Sequence, residues 1–166
     1  MADAGAPAAP NTQNPQQVFN IERIYLKDLS VENPGAPQSF INAAQQGPQV
    51  EVGLQMASQN VQEGFYDVTL ALTVTAKLGE NTLFLVEAKQ AGIFQIRGVA
   101  ESDLPPVLGI HCPNILFPYA RETVSDAINR MGFPPVYLAP INFEALYQQQ
   151  LEQELARLEA AGQTKQ

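Results

Sequence analysis

From residue 64 to 97 the apolar side chains fall on every second position, and beyond residue 98 they recur every third or fourth. A period of two is a half-buried strand, and a period near 3.6 is a helix with one buried stripe. The chain is therefore a sheet first and helices afterwards. In "GFYDVTLALTVTAKL" (64–78), Tyr66, Val68, Leu70, Leu72, Val74, Ala76 and Leu78 share one side, and Asp67, Thr69, Thr73, Thr75 and Lys77 share the other. "GEN" at 79–81 is a tight-turn signal. Beyond it Phe84, Val86 and Ala88 alternate with Leu83, Leu85, Glu87 and Lys89, and Gly92 is expected to mark a bulge or bend.

Two earlier segments also alternate. In 18–32, Phe19, Ile21, Tyr25, Leu29 and Val31 are placed on one face and Asp28, Ser30 and Glu32 on the other. In 49–58, Val50, Val52, Leu54 and Met56 oppose Glu51 and Gln55. The long connection "NPGAPQSFINAAQQGPQ" is expected to cross over the sheet rather than make a hairpin. "ESDLPPVLGIH" reads as a short helical turn, and Pro113 as the first-turn proline of a long helix. Pro118 is then placed near that helix's first turn, where a missing N–H costs least. Gly132 ends the helix, and Asn142 caps a second one, "FEALYQQQLEQELARLEA". The prediction is an α+β domain: a four-stranded antiparallel sheet with a long crossover, followed by two C-terminal helices. Its boundaries are 18–159, between tails at 1–17 and 160–166 too poor in apolar residues to order. A sheet apolar on both sides with two helices to cover it points to burial against further copies.

Composition narrows the function. Seventeen acidic against nine basic residues disfavour nucleic acid or an anionic membrane as partner, since both demand a basic patch. No run approaches the length of a spanning helix, the N-terminus lacks the pattern of a secretory signal, and one cysteine fits a reducing compartment. A cytoplasmic protein without direct membrane insertion is expected.

The catalytic templates fail in turn. A single His and a single Cys cannot build a His-rich or CxxC metal site, and no glycine-rich loop with a lysine opens a helix. His111 and Cys112 are adjacent in sequence, so their side chains diverge. They are read as a loop or cap residue and a packed thiol rather than a base and nucleophile. The expectation is a non-enzyme with no catalytic residue, no metal and no cofactor.

"CPNILFPYARE" followed by "FPPVYLAPINFEALY", with "RIYLKDLSVENPGAP" upstream and "AKLGENTLFLVEAKQAGIF" between, closely resembles the SecB family of bacterial protein-export chaperones. The resemblance runs from Val18 to Leu151, in order and in register. It implies a homotetramer, a dimer of dimers, acting as an ATP-independent holdase for unfolded precursor proteins and passing them to the motor ATPase SecA. It implies a client groove between the crossover, the second strand and the last helix, with Phe40, Val50, Val52, Leu54, Phe84, Phe143, Leu146 and Tyr147 as its walls. It implies a SecA-docking face made of Asp28, Glu32, Leu85 and Glu87, suited to a small basic zinc-binding tail. Alternation independently lets each of those two pairs point outward together. The stripe Leu116, Ala120, Val124, Ala127 and Ile128 is expected to serve as oligomer interface and core. One departure concerns the crossover: family members often carry a tryptophan before the proline that opens the second strand, whereas Ala43–Pro48 here has no aromatic. Two alternatives stay open, a SecB-like chaperone for another client such as an antitoxin, and a small-ligand-binding α+β domain.

Overall fold

The computed structural model describes residues 16–43 and 47–163. Most of the N-terminal tail, residues 44–46 of the crossover and residues 164–166 lie outside the described residues. Four strands, β1 (Val18–Glu32), β2 (Gln49–Gln62), β3 (Phe65–Leu78) and β4 (Asn81–Arg97), form one antiparallel sheet in the order β1-β4-β3-β2. The β1–β2 connection therefore runs from one edge to the other, and it contains a short helix, α1 (Gln38–Ala43), that alternation did not reveal. The β3–β4 turn is the predicted one, with Gly79 at φ +60°.

One face carries the core. Val68, Leu70, Leu72, Val74, Val86, Ala88 and Phe94 are buried there against Leu116, Ala120, Val124 and Ile128 of the long helix. Gly92 is not a bulge: β4 pairs regularly with β3 on either side of it. A Cβ there would lie 2.8 Å from the Phe94 ring and 3.1 Å from Leu116, so the glycine lets the helix and the ring approach the strand.

β1 departs from strict alternation twice. Its pairing with β4 skips Glu22, between Ile21 and Arg23, and Lys27, between Leu26 and Asp28. Each bulge reverses which side the next residues face. Ile24 and Leu26 thus lie opposite Gly92 and Gln90 on the core side, and Tyr25, opposite Ala91, faces outward rather than with Phe19 and Leu29 as expected.

The helix also starts earlier than predicted. α2 (Leu104–Pro106), a π-helical turn (Val107–His111) and α3 (Cys112–Arg130) follow without interruption. Cys112 N–H reaches the Val107 carbonyl, and the wider turn falls where Pro113 removes a donor from the ladder anyway. Pro118 is consequently well inside the helix, on its exposed side. Gly132 at φ +92° terminates α3, with Phe133 N–H donating to the Ile128 carbonyl at 3.3 Å. α4 (Phe143–Gln163) is capped as predicted, Asn142 Oδ1 accepting from Ala145 N–H at 3.0 Å. It continues past residue 159, so Ala160–Gln163 belong to the helix and not to a tail.

Candidate functional site

Among the described residues, the long helix packs on the core face of the sheet and leaves the outer face to strand side chains. The register places Glu32 opposite Leu85, Ser30 opposite Glu87 and Asp28 opposite Lys89. The four residues expected to form the acidic face are therefore neighbours on one side of β1 and β4. Lys89, which sequence reasoning did not assign to the site, sits among them, 3.9 Å from Asp28 and 3.4 Å from Glu87. Thr73 Oγ1 donates to Glu87 Oε2 at 3.3 Å from β3. Beside this patch lies Asp67, nearly buried although it is on the outer face. Tyr25 Oη donates to its Oδ1 at 2.7 Å, and Lys27 Nζ and Gln59 Nε2 donate to its Oδ2 at 3.0 and 3.3 Å. Burial would raise the Asp67 carboxyl, but these hydrogen bonds and the Lys27 charge outweigh it and hold it below the usual carboxylate range. Burial, then the hydrogen bond and charge of Asp67, push the Tyr25 phenol up to about 12.

The expected groove residues separate into two groups. At one end Phe40 stacks on Phe133 (centroids 5.1 Å apart) and Phe133 on Phe84 (4.9 Å). Phe84 is buried in this cluster, and Phe40 is exposed above it. Phe133, absent from the expected set, is the residue after the helix-ending glycine, where an apolar contact commonly accompanies this cap. At the other end Tyr147 lines a cleft of about 410 Å³ with Met56, Leu104, Leu108 and Gly109. A Cβ on Gly109 would lie 2.7 Å from the Tyr147 ring, so the glycine is the notch in which the ring sits. Between the two ends run Val50 and Val52, both exposed on the core side of edge strand β2, and half-buried Leu54. The seven residues of strand from Val50 to Met56, six steps along the chain, span roughly 20 Å. Phe143 is core rather than wall: it is 1% exposed and packs edge-on against Phe117. Leu146 is half-buried against the same core.

The stripe expected at an oligomer interface is also core. Leu116, Ala120, Val124, Ala127 and Ile128 are buried against this protomer's own sheet, because β3 and β4 present matching apolar rows. The apolar surface left open lies instead on the core side of edge strand β1, where Phe19, Ile21, Leu26, Leu29 and Val31 are each more than two-fifths exposed. A cavity of about 470 Å³ separates Leu26, Leu29 and Val31 from Ala127 and Met131 of the helix. On α4, Leu151, Leu155 and Leu158 are exposed.

Cys112 is fully buried, and burial pushes its thiol up to about 12, so it is a packed side chain without thiolate character at neutral pH. His111 is exposed beside it. Among the described residues no cluster of three or more His, Cys, Asp or Glu could hold a metal ion, and no helix is long and apolar enough to cross a membrane.

One side of the sheet thus carries an apolar track at its β2 edge, and the other a charged platform over β1 and β4. The family model for preprotein translocase subunit SecB matches residues 12–154. The protein-export protein SecB of Chromobacterium violaceum is 60% identical over 142 residues, covering 86% of this chain and 93% of that protein. That of Neisseria gonorrhoeae is 56% identical over 142 residues, 85% of this chain and 95% of that protein. Among solved structures, the SecB-like chaperone of Mycobacterium tuberculosis in complex with a ChAD peptide from the HigA1 antitoxin superposes with a TM-score of 0.62 at 18% identity. It covers 74% of this chain and 90% of that one, and it supports the fold. The chain belongs to the SecB family, and it is a protein-export chaperone.

Proposed function

We propose that the protein acts in the cytoplasm as an ATP-independent, non-enzymatic holdase without a cofactor, assembled as a homotetramer, a dimer of dimers. Unfolded precursors lie along the apolar track from the Phe40–Phe133–Phe84 cluster, past Val50, Val52 and Leu54, to the Tyr147 cleft. SecA docks on Asp28, Glu32, Leu85 and Glu87. The observation that carries this reading is the segregation of the two surfaces: the apolar residues of β2 and the acids of β1 and β4 face opposite sides of one sheet. A client and a basic partner can therefore be held at once. An unfolded chain exposes apolar side chains with little sequence code, and burying them contributes roughly 25 cal/mol per Å². Several weak contacts along one chain then add through multivalency. The open apolar row of β1 supports a second copy covering that edge, since isolated soluble domains rarely leave such rows bare.

Titration of the purified protein against an unfolded precursor and against SecA tests both surfaces, with Asp28→Ala/Glu87→Lys alongside and native mass measurement for the assembly. Client binding by both proteins, with SecA binding lost in the variant, is expected. Failure to bind unfolded chains would sink the holdase assignment. Saturation by one small compound would favour a ligand-binding domain, and preference for an antitoxin segment over precursors would redirect the client.

A further inference from the structure

We propose that Asp67, Tyr25, Lys27 and Gln90 form a clamp that pins the second bulge of β1 and thereby sets which side of the sheet carries Asp28 and Glu32. This inference deepens the docking assignment and rests on it only for its consequence, not for the clamp itself.

Lys27 is an extra residue: it has no partner on β4, while Leu26 pairs with Gln90 and Asp28 with Lys89. If the bulge dissolved and pairing continued from Leu26 without a skip, Lys27 would take Lys89 as partner, Asp28 would take Ala88 and Leu29 would take Glu87. Asp28 and Glu32 would then turn toward the core side, and Leu29 and Val31 would turn outward. β1 is exposed along nearly its whole length, and register is weakly specified where no face of a strand is buried.

The bulge is held from both faces. On the core side the buried Gln90 side chain donates to the Tyr25 backbone carbonyl at 2.9 Å. On the outer side Tyr25 and Lys27, the residues flanking Leu26, both reach across β4 to the same Asp67 carboxylate on β3. Ala91, small and paired with both Tyr25 and Thr69, leaves room for that crossing. Lys27 Nζ also donates to Thr69 Oγ1 at 3.3 Å. In the slipped register Lys27 would lie opposite Lys89, a like-charge pair, and would leave Asp67 with one donor fewer from β1. Tyr25 and Gln90 anchor the strand up to Leu26 in either register, and the Lys27–Asp67 contact is what separates the two; all four are positioning residues in that sense. They need not touch the partner that docks on the acids beyond them.

The clamp makes a prediction that mere stabilisation does not. If Asp67 acts by holding an extra residue in place, deleting that residue makes Asp67 dispensable, because without Lys27 the uninterrupted alternation again puts Asp28, Ser30 and Glu32 outward. The readout is oxidative cross-linking in the full-length protein of Ser30→Cys/Glu87→Cys, the native neighbours, against Leu29→Cys/Glu87→Cys, the slipped neighbours. Cys112, buried, does not compete. Asp67→Ala is expected to shift the native-to-slipped ratio about tenfold toward the slipped pair, the size expected for loss of one charge-assisted hydrogen bond. Deleting Lys27 in the same background is expected to restore the native pair. Asp67→Asn, which keeps side-chain volume, serves the same comparison if the alanine variant folds poorly. An unchanged ratio in both Asp67 variants, or no rescue by the deletion, overturns the clamp. SecA titration on variants that retain Ser30 and Glu87 then separates the two ideas. Cross-links that shift while SecA affinity holds uphold the clamp and refute the docking face.

Discussion

Replacing Lys89 by glutamine should strengthen docking of a basic partner, although it removes a charged residue from the centre of the site. Lys89 Nζ lies 3.9 Å from Asp28 and 3.4 Å from Glu87, so a basic side chain paired with either acid comes within about 7 Å of it. Two like charges at about 7 Å in water repel by about 0.6 kcal/mol, and screening at 0.15 M salt leaves roughly 0.2 kcal/mol. With one basic group of the partner on each of the two acids the gain is about 0.5 kcal/mol, or roughly twofold in affinity. At 0.01 M salt screening nearly vanishes, and the same change becomes about fivefold. Lys89 also shields the acids it contacts, so its removal steepens the salt dependence of docking. Fluorescence-anisotropy titrations of the SecA tail across ionic strength, with Lys89→Arg as the charge-preserving control, measure both effects. Weaker docking by Lys89→Gln, or equal docking at every salt concentration, refutes electrostatic recognition by the Asp28–Glu87 patch.

Gly109→Ala should destabilise the wild type by about 1–2 kcal/mol, because the new methyl meets the Tyr147 ring at 2.7 Å. In a Tyr147→Ala background the same change should stabilise by about 0.5–1 kcal/mol, the usual helix gain of alanine over glycine. Chemical denaturation of the four proteins reads this cycle, and one sign in both backgrounds would remove the ring–glycine contact as the cause. The Asp67 carboxyl is depressed, so its contribution to stability is complete above the unfolded value near 3.8 and fades as pH falls below it. Tyr25 is raised to about 12, so its contribution holds below pH 10 and is lost as pH rises toward 12. Denaturation midpoints for Asp67→Asn should accordingly fall less between pH 4 and pH 2 than those of the wild type. Cys112 should resist a thiol reagent at neutral pH until the protein unfolds. Rapid labelling of the native protein would contradict its burial.

Local signals were legible where neighbouring residues decide the structure. The Gly79 turn, the Gly132 helix stop, the Asn142 cap and the two faces of β3 need no information from further along the chain. The bulges of β1 need it: the side chains that hold the second one come from Asp67 and Gln90, 42 and 65 residues beyond Tyr25. The acids were nevertheless placed on the correct face, because two bulges restore the parity that one alone would reverse. Tyr25, lying between them, was misplaced for the same reason. The early start of the long helix was hidden because Pro113 reads as a first-turn proline, whereas a π-helical turn at Val107–His111 joins the helical turn at Leu104–Pro106 to α3 without a break. The stripe expected to be both interface and core raises a different question. An amphipathic stripe states that a helix face is buried, but a sheet of its own protomer and one from another copy satisfy it equally. What decided between them was the paired apolar rows of β3 and β4, which already match Leu116 through Ile128. The apolar residues the protomer leaves uncovered include the core-side row of edge strand β1, along with Leu151, Leu155 and Leu158 of α4. An assembly built through that row would close the strand edge nearest the acids while leaving their outer face open.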